Sequence, residues 1–150
     1  MTRIDLVRRY ARLGWALLRL DGKVPRDRQW QKTPVEPPET VVGKWSEWGD
    51  RWNIGVLLGA SGLAVVEVDS EAARAKLLEL LGGELPPHVP IVETGRGFWH
   101  LYYADDGLQN AARDGLELRC GAQQCVLPPS VHPDTGRPYR WLPGHEPWPV

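Results

Sequence analysis

Five short segments in the C-terminal part of the chain, IVETG (91–95), WHLYYA (99–104), LELRC (116–120), CVLPPS (125–130) and PYRWL (138–142), alternate like strands and are joined by turns carrying Gly and Pro. Most of the gaps between them are too short for a crossover helix, so neighbouring strands are expected to pair antiparallel. Helical patterning is confined to the earlier part. Ile4 to Leu13 has apolar residues close to helical spacing and stops at Gly14. Thr40 to Trp48 can form a short helix with Trp45 and Trp48 on one side. Ser70 is a good N-cap for the amphipathic run EAARAKLLELL, which Gly82 and Gly83 stop. Further strands are expected at Gly14–Leu20, Asn53–Leu58 and Leu63–Asp69. Few helices and many short strands argue for an α+β chain with a largely antiparallel sheet and a few flanking helices.

With 150 residues, 42% of them hydrophobic and 25% charged, the chain is long enough for one core, and residues 1–150 read as a single domain. No apolar run approaches the roughly 20 residues needed to cross a bilayer, and MTRIDLVRRYARLGW lacks the apolar region of a signal peptide, so no membrane role and a cytoplasmic location are expected. Cys120 and Cys125 make no disulfide framework and read as small buried hydrophobes. The formal net charge of −1 hides an asymmetry: residues 1–32 carry nine basic side chains against three acidic ones, and residues 33–93 carry four against ten. The basic segment, with Lys23, Arg26 and Arg28 in the loop DGKVPRDRQWQKTPVEPPE (21–39), can follow a phosphate backbone or form a solvated face. The prolines and charges of that loop exclude regular structure, and a loop of 19 residues in a small domain is usually functional or mobile.

The stretch GLAVVEVDS (62–70) ends an apolar strand with two carboxylates, Glu67 and Asp69, two positions apart and therefore on one face, roughly 7 Å apart. Two such charges at the edge of an apolar layer need a positive partner, either a basic side chain or a divalent metal. Strand parity places His100 with Tyr102, and Glu117 with Arg119, on defined faces. If these strands are neighbours, Glu67, Asp69, His100, Glu117 and Arg119 meet above one sheet. Three carboxylates suit a hard cation such as Mg²⁺ or Mn²⁺, whereas a zinc site favours His and Cys.

Each of these residues also has a plainer reading. Glu67 and Asp69 can be a strand end reaching water, His100 an interior histidine, and Glu117 and Arg119 a solvated pair. Cys120, Cys125, His132 and His145 do not match usual zinc spacings, with four residues between the cysteines and twelve between the histidines. The turn Thr94-Gly95-Arg96-Gly97 lets backbone amides approach a phosphate, but a lone short glycine motif is weak.

In order, GWALLRLDGKVP, NIGVLLGASGLAVVEVD, VETGRGFWHLYY and GLELRCGAQQCVLPPSVHPDTGRPYRW resemble the N-terminal domain of bifunctional DNA primase/polymerases, the prim-pol domain of the archaeo-eukaryotic primase superfamily. The match runs from about Gly14 to Trp141. The resemblance implies an RRM-like primase/polymerase catalytic core performing template-directed nucleotidyl transfer with Mg²⁺ or Mn²⁺. Glu67, Asp69 and Glu117 match the metal-binding acids, and His100 matches a catalytic histidine facing the nucleotide. Arg96, Arg119, Ser130 and His132 are expected near the nucleotide, and Lys23, Arg26 and Arg28 near the nucleic acid. The implied partners are a DNA template or primer-template, dNTPs or rNTPs, and a helicase or helical accessory domain, since family members commonly continue into one and the chain then reads as a catalytic fragment. The family often has Asp where Glu67 and Glu117 stand, and a small residue where Phe98 stands. Two other classes compete: a non-catalytic nucleotide- or DNA-binding module keeping the fold, and a metal-dependent nuclease, whose motif set the sequence does not resemble.

Overall fold

The computed structural model describes residues 1–149. Helix α1 (Arg3–Arg12) starts at a capping box: the Asp5 N–H donates to the Thr2 hydroxyl at 3.1 Å, and the Thr2 N–H donates to the Asp5 carboxylate at 2.8 Å. Gly14, at φ +81°, turns the chain out of the helix in the left-handed conformation that glycine adopts without strain. Val7, Tyr10 and Ala11 face the core.

Strand β1 (Ala16–Asp21) folds back through the two-residue strand β2 (Val24–Pro25), so the segment expected as an irregular loop is partly ordered. The same segment holds a 3₁₀ turn at Trp30–Lys32, and helix α2 (Pro38–Trp48) starts earlier than the expected Thr40. Proline in the first helical turn gives up only an N–H that would be unpaired there, and Pro25 sits on an edge strand, so the prolines that argued against structure are tolerated in both places.

The remaining elements are β3 (Asn53–Leu57), β4 (Leu63–Val68), α3 (Glu71–Leu80), β5 (Ile91–Glu93), β6 (Trp99–Ala104), β7 (Ala111–Arg113), β8 (Leu116–Arg119), β9 (Gln124–Leu127) and β10 (Arg140–Trp141). They form an α+β fold with two sheets, one of four strands in the order β2-β1-β3-β9 and one of six in the order β10-β5-β6-β4-β8-β7. Each strand pairing among the described residues is antiparallel. β7 has no counterpart in the sequence reading, because its three residues are all exposed and carry no apolar alternation. No helix among the described residues is long and apolar enough to cross a membrane.

The six-stranded sheet has two dissimilar faces. Val68, Leu101 and Ile91 lie on the outer face and pack with Ala73 and Leu77 of α3. Val65, Val92 and Tyr102 lie on the inner face and join a core with Ile54, Val56, Cys125 and Leu127 of the four-stranded sheet, closed by α1 and α2. Tyr10 ties the layers together: its ring stacks on Trp15 at 5.5 Å, and its hydroxyl donates to the Pro128 carbonyl at 2.6 Å while accepting from Trp141 Nε1 at 2.9 Å.

Ser130 secures the Pro-Pro-Ser turn after β9. The buried Ile54 N–H donates to its hydroxyl at 2.7 Å, and the hydroxyl reaches back to the Ile54 carbonyl at 3.3 Å. Ser130→Ala strands that N–H in the core. The expected loss of folding free energy is about 1–3 kcal/mol, read as a lower denaturant midpoint with an unchanged slope; a midpoint equal to wild type contradicts the role assigned to the hydroxyl.

Candidate active site

The strand register lines up one row of residues across the six-stranded sheet. Trp141 pairs with Val92, Val92 with His100, His100 with Glu67, Glu67 with Glu117, and Glu117 with Ala112. Residues directly opposite in an antiparallel pair project to the same face, so His100, Glu67 and Glu117 all look inward. Arg119 opposes Val65 and shares that face. Asp69 follows β4 by one residue and keeps the parity of Glu67.

Glu67 is the centre of the contacts. Its Oε2 lies 2.8 Å from Arg119 Nε, and its Oε1 lies 3.3 Å from His100 Nε2. Arg119 Nε is also 3.5 Å from Glu117 Oε2, so one guanidinium bridges two carboxylates. The positive partner that the acids require is therefore this arginine. Glu67 and His100 are buried, whereas Asp69 and Glu117 are exposed.

Burial between two sheets sets the ionisation of this pair. It lifts the Glu67 carboxyl to about 7, with Asp69 and Glu117 adding to the rise and Arg119 opposing it. Burial, reinforced by Arg119 and Lys23, holds the His100 ring down at about 3. His100 is thus neutral near pH 7, and its contact with Glu67 is a hydrogen bond from Nε2–H. The other ring nitrogen, Nδ1, is buried without a partner.

These groups line a cavity of about 310 Å³ at the seam of the sheets. The six-stranded sheet contributes Glu67, His100 and Arg119, and Asp69 lies just past the end of β4. Gln124, Cys125 and Val126 of β9 come from the other sheet, with Lys23 from the β1–β2 turn and with Arg96, His132 and Tyr139 from the loops. Gly95 allows the Thr94–Gly97 turn to lie against the His132 loop, because a Cβ there would fall 2.2 Å from His132 Cβ. His132 Nδ1 accepts the backbone N–H groups of Asp134 and Thr135 at 3.1 and 3.3 Å, which leaves the ring proton on Nε2, 3.4 Å from Arg96 Nε. The Arg96 guanidinium is held beside that ring by Asp134, whose Oδ2 accepts from Nη2 at 3.2 Å.

The expected residues are thus placed unequally. Glu67, Asp69, His100, Arg119, Arg96, His132 and Lys23 share the cavity. Glu117 stands beyond Arg119 on the same face. Ser130 does not line the cavity, and its hydroxyl is committed to Ile54, which corrects the expected nucleotide contact to a structural one. Arg26 and Arg28 are exposed and outside the cavity. Strand alternation gave no sign of Gln124, Cys125 or Tyr139, because their sheet partners and the layer they face are long-range matters. The thiol of Cys125 is more than a core filler: its sulfur and one ligand atom each of Glu67 and His100 lie within 4.8 Å of one another.

The sequence model of one protein family, described as bifunctional DNA primase/polymerase, N-terminal, matches residues 7–150. The chain belongs to this Prim-Pol family. Membership points to primase/polymerase-type nucleotidyl transfer as its general activity. Among curated proteins none matches the chain.

Ionisation gives the Prim-Pol site a pH signature. Between the ordinary value of 4.5 and about 7, folded Glu67 keeps a proton that the unfolded chain has lost, so its contribution to stability is full below 4.5 and lost as pH rises through about 7. His100 has the opposite sign: its contribution is full above the ordinary 6.5 and is lost as pH falls toward about 3. The two slopes offset each other in the wild type. Glu67→Gln removes one, so the variant is expected to gain on the order of 2–3 kcal/mol relative to wild type from about pH 4.5 to about pH 7, measured by denaturant titration in chelator. A difference that is constant with pH contradicts the assignment.

Proposed function

We propose that this Prim-Pol chain performs template-directed nucleotidyl transfer, as a DNA primase, a DNA polymerase or both, extending or initiating a strand with release of pyrophosphate. The observation that carries the reading is the inner-face row that sets Glu67 between His100 and Glu117, with Asp69 beside it at the same cavity. The donor chemistry fits a hard divalent cation. Carboxylate oxygens predominate, and the burial that lifts Glu67, with Asp69 and Glu117 adding to it, is offset by added positive charge. Glu67, Asp69 and Glu117 would hold Mg²⁺ or Mn²⁺. When bound, the cation supplies charge neutralisation at the phosphates and activation of the attacking hydroxyl.

The chain's own residues account for the rest. Lys23, Arg96 and the Nε2–H of His132 offer positive or donor groups to the phosphates in the cavity that Glu67 and Asp69 also line. In the reaction the strand's 3′-oxygen bonds to the α-phosphorus while the bond to the β-phosphate oxygen breaks, and the hydroxyl proton passes to solvent. His100 stays neutral and presents an imidazole to the nucleotide without adding positive charge beside the acids. Exposed Lys23, Arg26 and Arg28 follow the template or primer-template backbone, a contact without sequence preference. The reading extends to dNTPs or rNTPs as substrates, to a single catalytic domain over residues 1–150, to a cytoplasmic location and to a helicase or helical accessory domain as partner.

A second reading, a binding module that keeps the fold without catalysis, is favoured by one contact: Arg119 already holds the Glu67 carboxylate at 2.8 Å, the position a cation needs. Asp69→Ala separates the two. Asp69 is exposed and makes no ion pair among the described residues, so its loss leaves the fold intact. Primer extension with Mg²⁺ or Mn²⁺ is expected to fall to background in a variant whose circular dichroism is unchanged. Full incorporation by the folded variant refutes the catalytic assignment, and a wild-type chain that binds nucleotide but incorporates nothing supports the module.

A further inference from the structure

The cavity floor combines two kinds of donor. Its carboxylates suit hard cations, but Glu67, His100 and Cys125, all buried, place one oxygen, one nitrogen and one sulfur within 4.8 Å of one another. The Glu67 Oε1–His100 Nε2 separation of 3.3 Å already matches the roughly 3.5 Å edge of a tetrahedral zinc shell with bonds of about 2.0–2.3 Å, and 4.8 Å is the upper bound for the separations to the sulfur. A side-chain rotation of about an ångström at most closes the set, and all three residues line the cavity. We propose that these three residues form a site for a soft or borderline divalent cation, Zn²⁺ foremost, and that its occupation blocks nucleotidyl transfer by taking Glu67 away from the hard-cation site.

Three observations support the site independently of the proposed reaction. The His100 nitrogen that faces Glu67 Oε1 is Nε2, and Nδ1 has no partner in the protein, so no neighbour at Nδ1 fixes the tautomer and the Nε2 lone pair can be turned to a cation when the proton sits on Nδ1. The two oxygens of Glu67 are divided: Arg119 holds Oε2, while Oε1 faces His100, so a cation on the His100 side does not have to displace the arginine. Cys125 is a free thiol lining the cavity, whereas the other cysteine, Cys120, turns its sulfur to the Leu108 carbonyl at 3.3 Å and does not line it. Sulfur and imidazole discriminate by softness: they favour Zn²⁺ over Mg²⁺ or Mn²⁺, so the two occupants compete for one carboxylate and not for one full set of ligands. Binding converts the Cys125 thiol to a thiolate, with one proton released to buffer.

The inhibitory half rests on the proposed function, and the site itself does not. Cobalt(II) titrated into the full chain without nucleotide is expected to give a near-ultraviolet sulfur-to-cobalt charge-transfer band that Zn²⁺ abolishes. The band is lost in Cys125→Ser, or in Cys125→Ala should serine disturb the fold, and is kept in Cys120→Ser. No band in the wild type, or a band that survives both Cys125 substitutions, overturns the site. In Mn²⁺-dependent extension, the Zn²⁺ concentration that halves each protein's own rate is expected to rise more than about tenfold on Cys125 substitution, the scale on which changes around a metal act. Equal sensitivity overturns the block. A chain that gives the band and never incorporates nucleotide keeps the site and refutes the reaction.

Discussion

A carboxylate held between two sheets governs much of the site. Glu67 is removed from water by the four-stranded sheet above it, and a group so placed needs compensation. Arg119 at 2.8 Å supplies part of it, and the His100 ring at 3.3 Å supplies a hydrogen bond. The compensation is incomplete, since Glu67 is still lifted to about 7. Buried ion pairs of this kind seldom add net stability, because the loss of hydration rivals the attraction. The arrangement is better understood as a site prepared for positive charge than as a staple of the fold.

The fold meets that cost by separating duties between the faces of one sheet. The outer face, with Val68, Leu101 and Ile91 against α3, is apolar and packed. On the inner face the apolar residues Val65, Val92 and Tyr102 flank the polar row, so the core begins where the cavity ends. Period-two alternation makes this possible, because adjacent residues of β4 serve opposite layers. A one-residue slip would exchange Glu67 for Val66 or Val68 and put a charge against α3. The ladders to β6 and β8 oppose such a slip, and through them the positions of His100 and Glu117 are tied to that of Glu67.

Charge is distributed across the cavity with a similar economy. Acids and Arg119 come from the six-stranded sheet and its edge, while Lys23, Arg96 and His132 come from turns. Turn residues can shift without disturbing a ladder, so the phosphate-facing groups are the adaptable ones and the acids the rigid ones. The close contact of Gly95 with His132 limits that freedom by keeping the two turns in register with each other.

Much of this was legible in the residue order. Alternation in WHLYYA and LELRC, the cap at Ser70 and the stop at Gly82 determined the strands, α3 and the shared face of Glu67 and Asp69, because these depend on neighbours within a few positions. The ordered motifs also carried the family. Other features depended on contacts between distant segments. The split into two sheets, the extra strand at Ala111–Arg113, the commitment of Ser130 to Ile54 and the arrival of Cys125 beside Glu67 and His100 belong to that class. Local sequence determines which side of a strand a residue occupies. Only tertiary packing decides what lies on that side, because burial and partner identity come from chain segments that local periodicity does not encode.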